Sequence, residues 1–231
     1  MKKLFEDEHY MIMLSGLLGL LAAILVGAGE FLLHFDPLAR FSSDSYEFML
    51  ATSNPQQTLG HFLGVFASPL YLVGCWHLYL MLKPANKTLA FLGFLIGAYG
   101  FILGGDWISS RASIGALMHS TNMIDNMEEL TQLYQLRYES LLTIIRITTL
   151  LMSVIFIYLT LTGKSRYQRW QAILNPILLL LSSFIIYLIS PAIGKYMMPI
   201  ALNIGFALFF SMSLIQAHNS NKQQCHFRSK Q

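Results

Sequence analysis

Five ionisable side chains stand in or beside runs of otherwise apolar residues: Glu30, His34, His61, Asp106 and Arg146. A charge in hydrocarbon costs roughly 2.5–3.5 kcal/mol even on lenient insertion scales, so each of these needs a partner or a purpose. Glu30 and His34 are one helical turn apart and continue the face of Ala23 and Gly27, which points both into a bundle. Arg146 belongs to a stripe, Glu139, Thr143, Arg146, Thr149 and Ser153, at helical period. Three chemistries suit such a set. Arg146 offers a guanidinium fork for phosphate or carboxylate, with His34 and His61 as further donors and Glu30 and Asp106 to orient it or meet an amine. Glu30, His34, His61 and Asp106 also form a mixed nitrogen and oxygen set suited to zinc or iron, where a carboxylate would act as general base on metal-bound water. The third reading is structural, with Arg146 paired to Glu30 or Asp106 to fix helix register.

The elements that must position these residues follow from composition. The chain has 231 residues, 55% hydrophobic and only 12% charged, with mean hydropathy +0.52. Soluble domains carry about 25% charge, so the chain reads as an integral membrane protein. A net charge of +3 from dispersed basic residues excludes a nucleic-acid binder. Cys75 and Cys225 have no metal-knuckle, redox or disulfide spacing. Apolar runs of about 20 residues predict six spans, near 11–34, 60–82, 88–110, 140–163, 170–190 and 196–217, as one all-α transmembrane bundle over 1–217 with a polar basic tail at 218–231. The first run exceeds a signal-peptide core and follows Glu6, Asp7 and Glu8, so it reads as a retained helix.

Lys and Arg set the orientation. Lys2, Lys3, Lys83, Lys87, Lys164, Arg166, Arg169, Lys222, Arg228 and Lys230 share the side of the N-terminus; only Arg40, Arg111, Arg137 and Lys195 lie in loops on the other side. Both termini are therefore expected in the cytoplasm, with two long outer loops, about 36–59 and 111–139, carrying short helices. In the first loop, Asp44 and Glu47 resemble a capping box for a helix through Phe48 and Leu50. In the second, Met127, Leu130, Tyr134 and Tyr138 recur at helical spacing, so the fourth span starts outside the bilayer near Asp125.

With this topology the five ionisable residues fall in the outer half. They predict an outward polar cavity lined by Glu30, His34, His61, Asp106 and Arg146, with Arg111, His119 and Glu139 at its rim. His77 lies roughly 24 Å along the helix from His61 and reads, with Trp76 and Tyr79, as an inner-boundary group. Small-residue stripes predict close packing of the first three spans: Gly16, Gly19, Ala23 and Gly27; Gly60, Gly64 and Ala67; Gly93, Gly97, Gly100 and Gly104. The fifth and sixth spans read as scaffold, with Asn203 the polar exception.

Recognition of a lipid headgroup or a small polar or anionic ligand is the leading expectation, in transport, sensing or lipid handling, with no cofactor. A metal-dependent intramembrane lipid hydrolase follows, holding zinc or iron. It lacks the second Glu-x-x-His pair of a di-iron bundle, and the paired histidines of alkaline ceramidases and adiponectin receptors have no counterpart between Pro199 and Ala217. Ser68, seven residues from His61, has no Gly-x-Ser-x-Gly elbow around it. The third class is an assembly partner of another membrane protein or of a second copy.

Gly27-Ala28-Gly29-Glu30-Phe31-Leu32-Leu33 with Asp36-Pro37, Gly60-His61-Phe62-Leu63-Gly64 with Pro69-Leu70, and Gly104-Gly105-Asp106-Trp107 resemble a loosely defined group of bacterial polytopic membrane proteins known only as a domain of unknown function. Asn175-Pro176 and Pro199 to Asn203 extend the likeness. It implies a bacterial cytoplasmic membrane and no particular activity.

Overall fold

The computed structural model describes residues 2–40, 46–120 and 127–228, and every regular element in them is helical. The helices are α1 (Lys2–His34), α2 (Asn54–Ala67), α3 (Leu70–Leu82), α4 (Lys87–His119), α5 (Met127–Leu161), α6 (Pro176–Ile189), α7 (Pro191–Met197) and α8 (Ala201–Arg228). Among the described residues, five segments are long and apolar enough to cross a membrane: Asp7–His34, Asn54–Leu82, Lys87–His119, Glu129–Leu161 and Pro191–Ser220. Lipid cannot satisfy backbone polar groups, so apolar runs of this length settle as helices.

The expected fifth span is where the architecture departs from six equal helices. Residues Arg169–Leu174 form a 3₁₀ helix, Asn175 accepts a hydrogen bond from the Leu178 amide, and Pro176 starts an α6 of only 14 residues, about 21 Å. That is shorter than a hydrocarbon layer of about 30 Å. Pro191 and Pro199 likewise divide the last segment into α7, a 3₁₀ turn and α8, because proline removes an amide donor and clashes with the preceding turn. The second segment bends at Ser68-Pro69, between α2 and α3.

Contacts fix the order of the bundle. Gly29 lies against Gly60 and Gly64, Gly19 against Gly74, and Gly16 against His77, so α2 and α3 run antiparallel to α1. A Cβ on Gly29 would stand 2.7 Å from the Gly60 carbonyl oxygen, and only glycine permits this approach. The glycines of α4 serve two neighbours: Gly93, Gly97 and Gly100 meet Ile155, Met152 and Thr148 of α5, while Gly97 also meets Cys75 of α3 and Gly64 of α2 meets Ile108 of α4. At one end of the bundle, Glu8 pairs with Lys83 at 3.1 Å and with Arg166 at 3.0 Å, and the Arg166 carbonyl accepts from Gln216. The start of α1 and the end of α8 thus share this terminal end. Phe35 stacks on Tyr196 at the opposite end, so the chain between Arg166 and Tyr196 passes from one end to the other. α8 continues as helix through the stretch expected to be a separate tail from residue 218.

At that opposite end α4 and α5 run about 50 Å each, far beyond one hydrocarbon thickness, and build a cap. Its core is Tyr46, Phe48, Met49, Ile114 and Tyr138. A 3₁₀ helix at Glu47–Ala51 stands where a short loop helix is expected; Asp44 and Asp125 lie outside the described residues. A capping box of Ser53 and Gln56 starts α2.

Candidate functional site

Two hydrogen-bonded chains of buried side chains meet under the cap. In the first, the Tyr71 hydroxyl donates to Asn203 Oδ1 at 2.5 Å, and Asn203 Nδ2 donates to Glu30 Oε2 at 2.5 Å. Tyr71 thereby fixes which way the amide faces, leaving its NH₂ for the carboxylate. In the second, the Arg111 guanidinium donates to His34 Nε2 and to the Tyr138 hydroxyl. Three ring faces enclose Arg111, those of Tyr138 at 4.5 Å and of Phe48 and Trp107 at 5.1 Å each. Cation–π attraction of about 2 kcal/mol in a desolvated setting helps hold a charge there.

Trp107 joins the two chains to a cavity. It stacks on Tyr138, packs edge-on against His34, and its buried Nε1 has no hydrogen-bond partner among the described residues. The cavity, about 250 Å³, lies between α4, α5, α6 and α8, with Val26 and Glu30 of α1 at its back. Most of its wall is apolar. The polar groups on it include Glu30, Asn203, Tyr71, Trp107 and Arg146. A Cβ on Gly104 would meet nothing within 4 Å, which marks the open space directly.

The structure brings together only part of the expected set. Glu30 and Arg146 line one cavity, yet make no ion pair among the described residues, so register is not fixed by that pair. His34 is buried but sits in the Arg111 chain. Arg111, expected at the rim, is buried and central to the cap contact. Asp106 is exposed and His61 half-buried, with Nδ1 unpartnered; neither lines the cavity. Glu139 is exposed, and His119 reaches the Thr52 carbonyl at 2.9 Å. Among the described residues no three His, Cys, Asp or Glu side chains stand close enough to hold a metal ion, so Glu30, His34, His61 and Asp106 do not form a ligand set.

The spacing does not single out Tyr71, Tyr138 or the role of Asn203. One signal is present: Arg111 lies one turn beyond Trp107, and Tyr138 belongs to the helical stripe of the second long loop. His77, expected with Trp76 and Tyr79 near the inner boundary, is buried within the bundle rather than exposed at its surface. It is fully enclosed, with Nδ1 on the Ile12 carbonyl at 2.8 Å and Nε2 on Ser213 Oγ at 2.6 Å, and Tyr167 bonds the same hydroxyl. Beyond α1, Asp36 pins the chain as it enters the cap. Burial would raise its pKa, but the Arg40 guanidinium at 2.7 Å and the amides of Leu38 and Arg40 outweigh this and hold it below the usual carboxylate range.

The profile of a family described as a family of unknown function, DUF6796, matches residues 1–220. No curated protein and no solved structure matches the chain.

Proposed function

Since the chain belongs to the DUF6796 family of unknown function, its own residues must carry the reading, and we propose that it holds a lipid-type amphiphile in the cavity beneath its cap. The chain is a multi-pass, all-α membrane protein. In the proposed topology the short 167–189 passage completes a sixth crossing, both termini face the cytoplasm of a bacterial cell, and the cap lies outside. The basic residues Lys83, Lys87, Lys164, Arg166 and Arg169 gather at the terminal end, as positive-inside bias requires. A hydrocarbon layer of about 30 Å measured from Lys87 along α4 ends near Trp107, which puts Glu30, Asn203 and Trp107 at headgroup depth and the apolar wall among acyl chains.

One observation carries the reading: a mostly apolar cavity with a few polar side chains on its wall, among them a buried tryptophan N–H with no partner among the described residues. Orphaned buried donors are rare, and a ligand acceptor supplies what is missing. α5 and α6 touch only sparsely, which leaves a lateral way in.

Gly104→Phe tests this. Nothing stands where its Cβ would go, and a helix interior favours Phe over Gly by about 0.5 kcal/mol, so the variant should fold at least as well as the wild type. Native mass spectrometry after matched detergent washes should show a retained lipid on the wild type and none on Gly104→Phe. Equal retention by both proteins refutes the cavity as the site.

A further inference from the structure

Resting on that reading of the cavity, we infer that the head of its ligand is a zwitterion with an N–H-bearing ammonium, of the phosphoethanolamine class, held between Glu30 and Arg146. The two charges are the starting point. Glu30 gives one carboxylate oxygen to Asn203, and no donor among the described residues reaches the other. Arg146 is an exposed residue at the edge of the cavity and has neither an ion pair nor a hydrogen bond among the described residues. Both line the same cavity and do not pair with each other, and Arg111, whose charge Glu30 feels, gives its hydrogen bonds to His34 and Tyr138, so a ligand carrying both signs complements the two.

A purely anionic head would satisfy Arg146 while facing the Glu30 carboxylate, a like-charge contact against which binding discriminates. A phosphate fits the guanidinium fork, and the unpartnered Trp107 Nε1 is an additional donor to it. Trp107 and Arg146 both line the cavity.

The nature of the ammonium follows from what surrounds Glu30. Its neighbours there, Asn203 and Tyr71, are hydrogen-bonding groups in which a primary ammonium can donate. A quaternary ammonium cannot donate and is recognised instead by an aromatic box. Such a box exists in this protein, formed by Phe48, Trp107 and Tyr138, but Arg111 fills it. The free acid therefore selects for N–H, and the one aromatic cage at the site is closed to a methylated nitrogen.

The test uses the full-length protein and phospholipids of identical acyl chains, with ethanolamine, N-methylethanolamine, N,N-dimethylethanolamine, choline or glycerol heads, in competition by native mass spectrometry. Loss of one charge-assisted hydrogen bond predicts about tenfold weaker binding of the choline lipid than of the ethanolamine lipid, with the drop at the last methylation, where the final N–H disappears. The glycerol lipid should fall by a similar factor. Glu30→Gln keeps an oxygen for Asn203 and should bring the ethanolamine-to-choline ratio close to one. Arg146→Gln should weaken all the zwitterionic lipids and leave that ratio in place. If choline or glycerol lipids bind as well as ethanolamine lipid, and Gly104→Phe abolishes all of them, the head assignment is overturned while the cavity stands. If Gly104→Phe abolishes none, the cavity and the head assignment fall together. The methylation series needs no substitution, so it decides the matter even if Glu30→Gln does not fold.

Discussion

The Tyr71–Asn203–Glu30 chain makes a quantitative claim that a double-mutant cycle can test. Tyr71, Asn203 and Glu30 are 2%, 5% and 8% exposed, so water does not substitute for a lost partner. Tyr71→Phe removes one donor and leaves Asn203 Oδ1 bare, at a cost of about 1–3 kcal/mol. Asn203→Leu breaks both bonds, stranding the Tyr71 hydroxyl and removing the donor to a carboxylate; two neutral or charge-assisted losses of this kind come to about 3–5 kcal/mol. In the Asn203→Leu background, Tyr71→Phe no longer orphans an amide oxygen and should cost less than it does alone. Cycles across membrane helices measure about 0.6 kcal/mol on average and up to about 1.7, and a 2.5 Å bond in this setting belongs in the upper half of that range. The assay is reversible unfolding in mixed micelles at pH 7 for wild type, both single variants and the double. A coupling near 1 kcal/mol or above supports the chain. A coupling below about 0.3 kcal/mol, within the additivity expected of independent sites, refutes it.

Further outcomes follow from the geometry. Gly29→Leu should abolish folded yield, because Gly60 and Gly64 backbone atoms block even a Cβ and cannot rotate away as a side chain would; yield by fluorescence size-exclusion chromatography measures it, and a wild-type profile would contradict the packing. Arg111→Leu strands His34 and the Tyr138 hydroxyl and empties the aromatic box, at about 2–4 kcal/mol, and should expose the 46–57 segment to limited proteolysis before the rest of the bundle. Asp36 has a lowered native pKa. Its contribution is therefore complete above the unfolded value of about 3.9 and is lost as pH falls through the native value, so a stability profile from pH 5 to 2 should flatten in Asp36→Asn. In a Cys225→Ser background, Ser140→Cys should label from outside intact cells and Lys164→Cys only after permeabilisation; the reverse would invert the proposed topology.

How far the sequence reaches can be seen residue by residue. Helical character is legible because a bilayer admits few backbone solutions and mean hydropathy reports it locally. The polar exceptions are legible for the same reason: Glu30, His34, Arg111, Arg146 and Asn203 all stand out against apolar neighbours. The break at Pro176 and the shortness of α6 are signalled by proline, yet an apolar run of 20 residues does not by itself say where its helix begins.

Convergence is another matter. Glu30 and Asn203 are 173 positions apart, and His34 and Arg111 are 77 apart. Whether such residues meet depends on the rotation, tilt and end-to-end order of helices, to which local periodicity is blind. The same holds for Asp106, which is exposed, and for the glycines of α4, which divide between α5 and the second segment. Sequence alone determined that this is a helical membrane protein and that a few polar residues, Glu30 and His34 among them, stand in its apolar runs and ask for partners, since both follow from the cost of polarity in lipid. Only tertiary structure decided that Arg111 is sealed in an aromatic box while Glu30 and Arg146 border one cavity without pairing with each other, because that depends on how the helices turn toward one another.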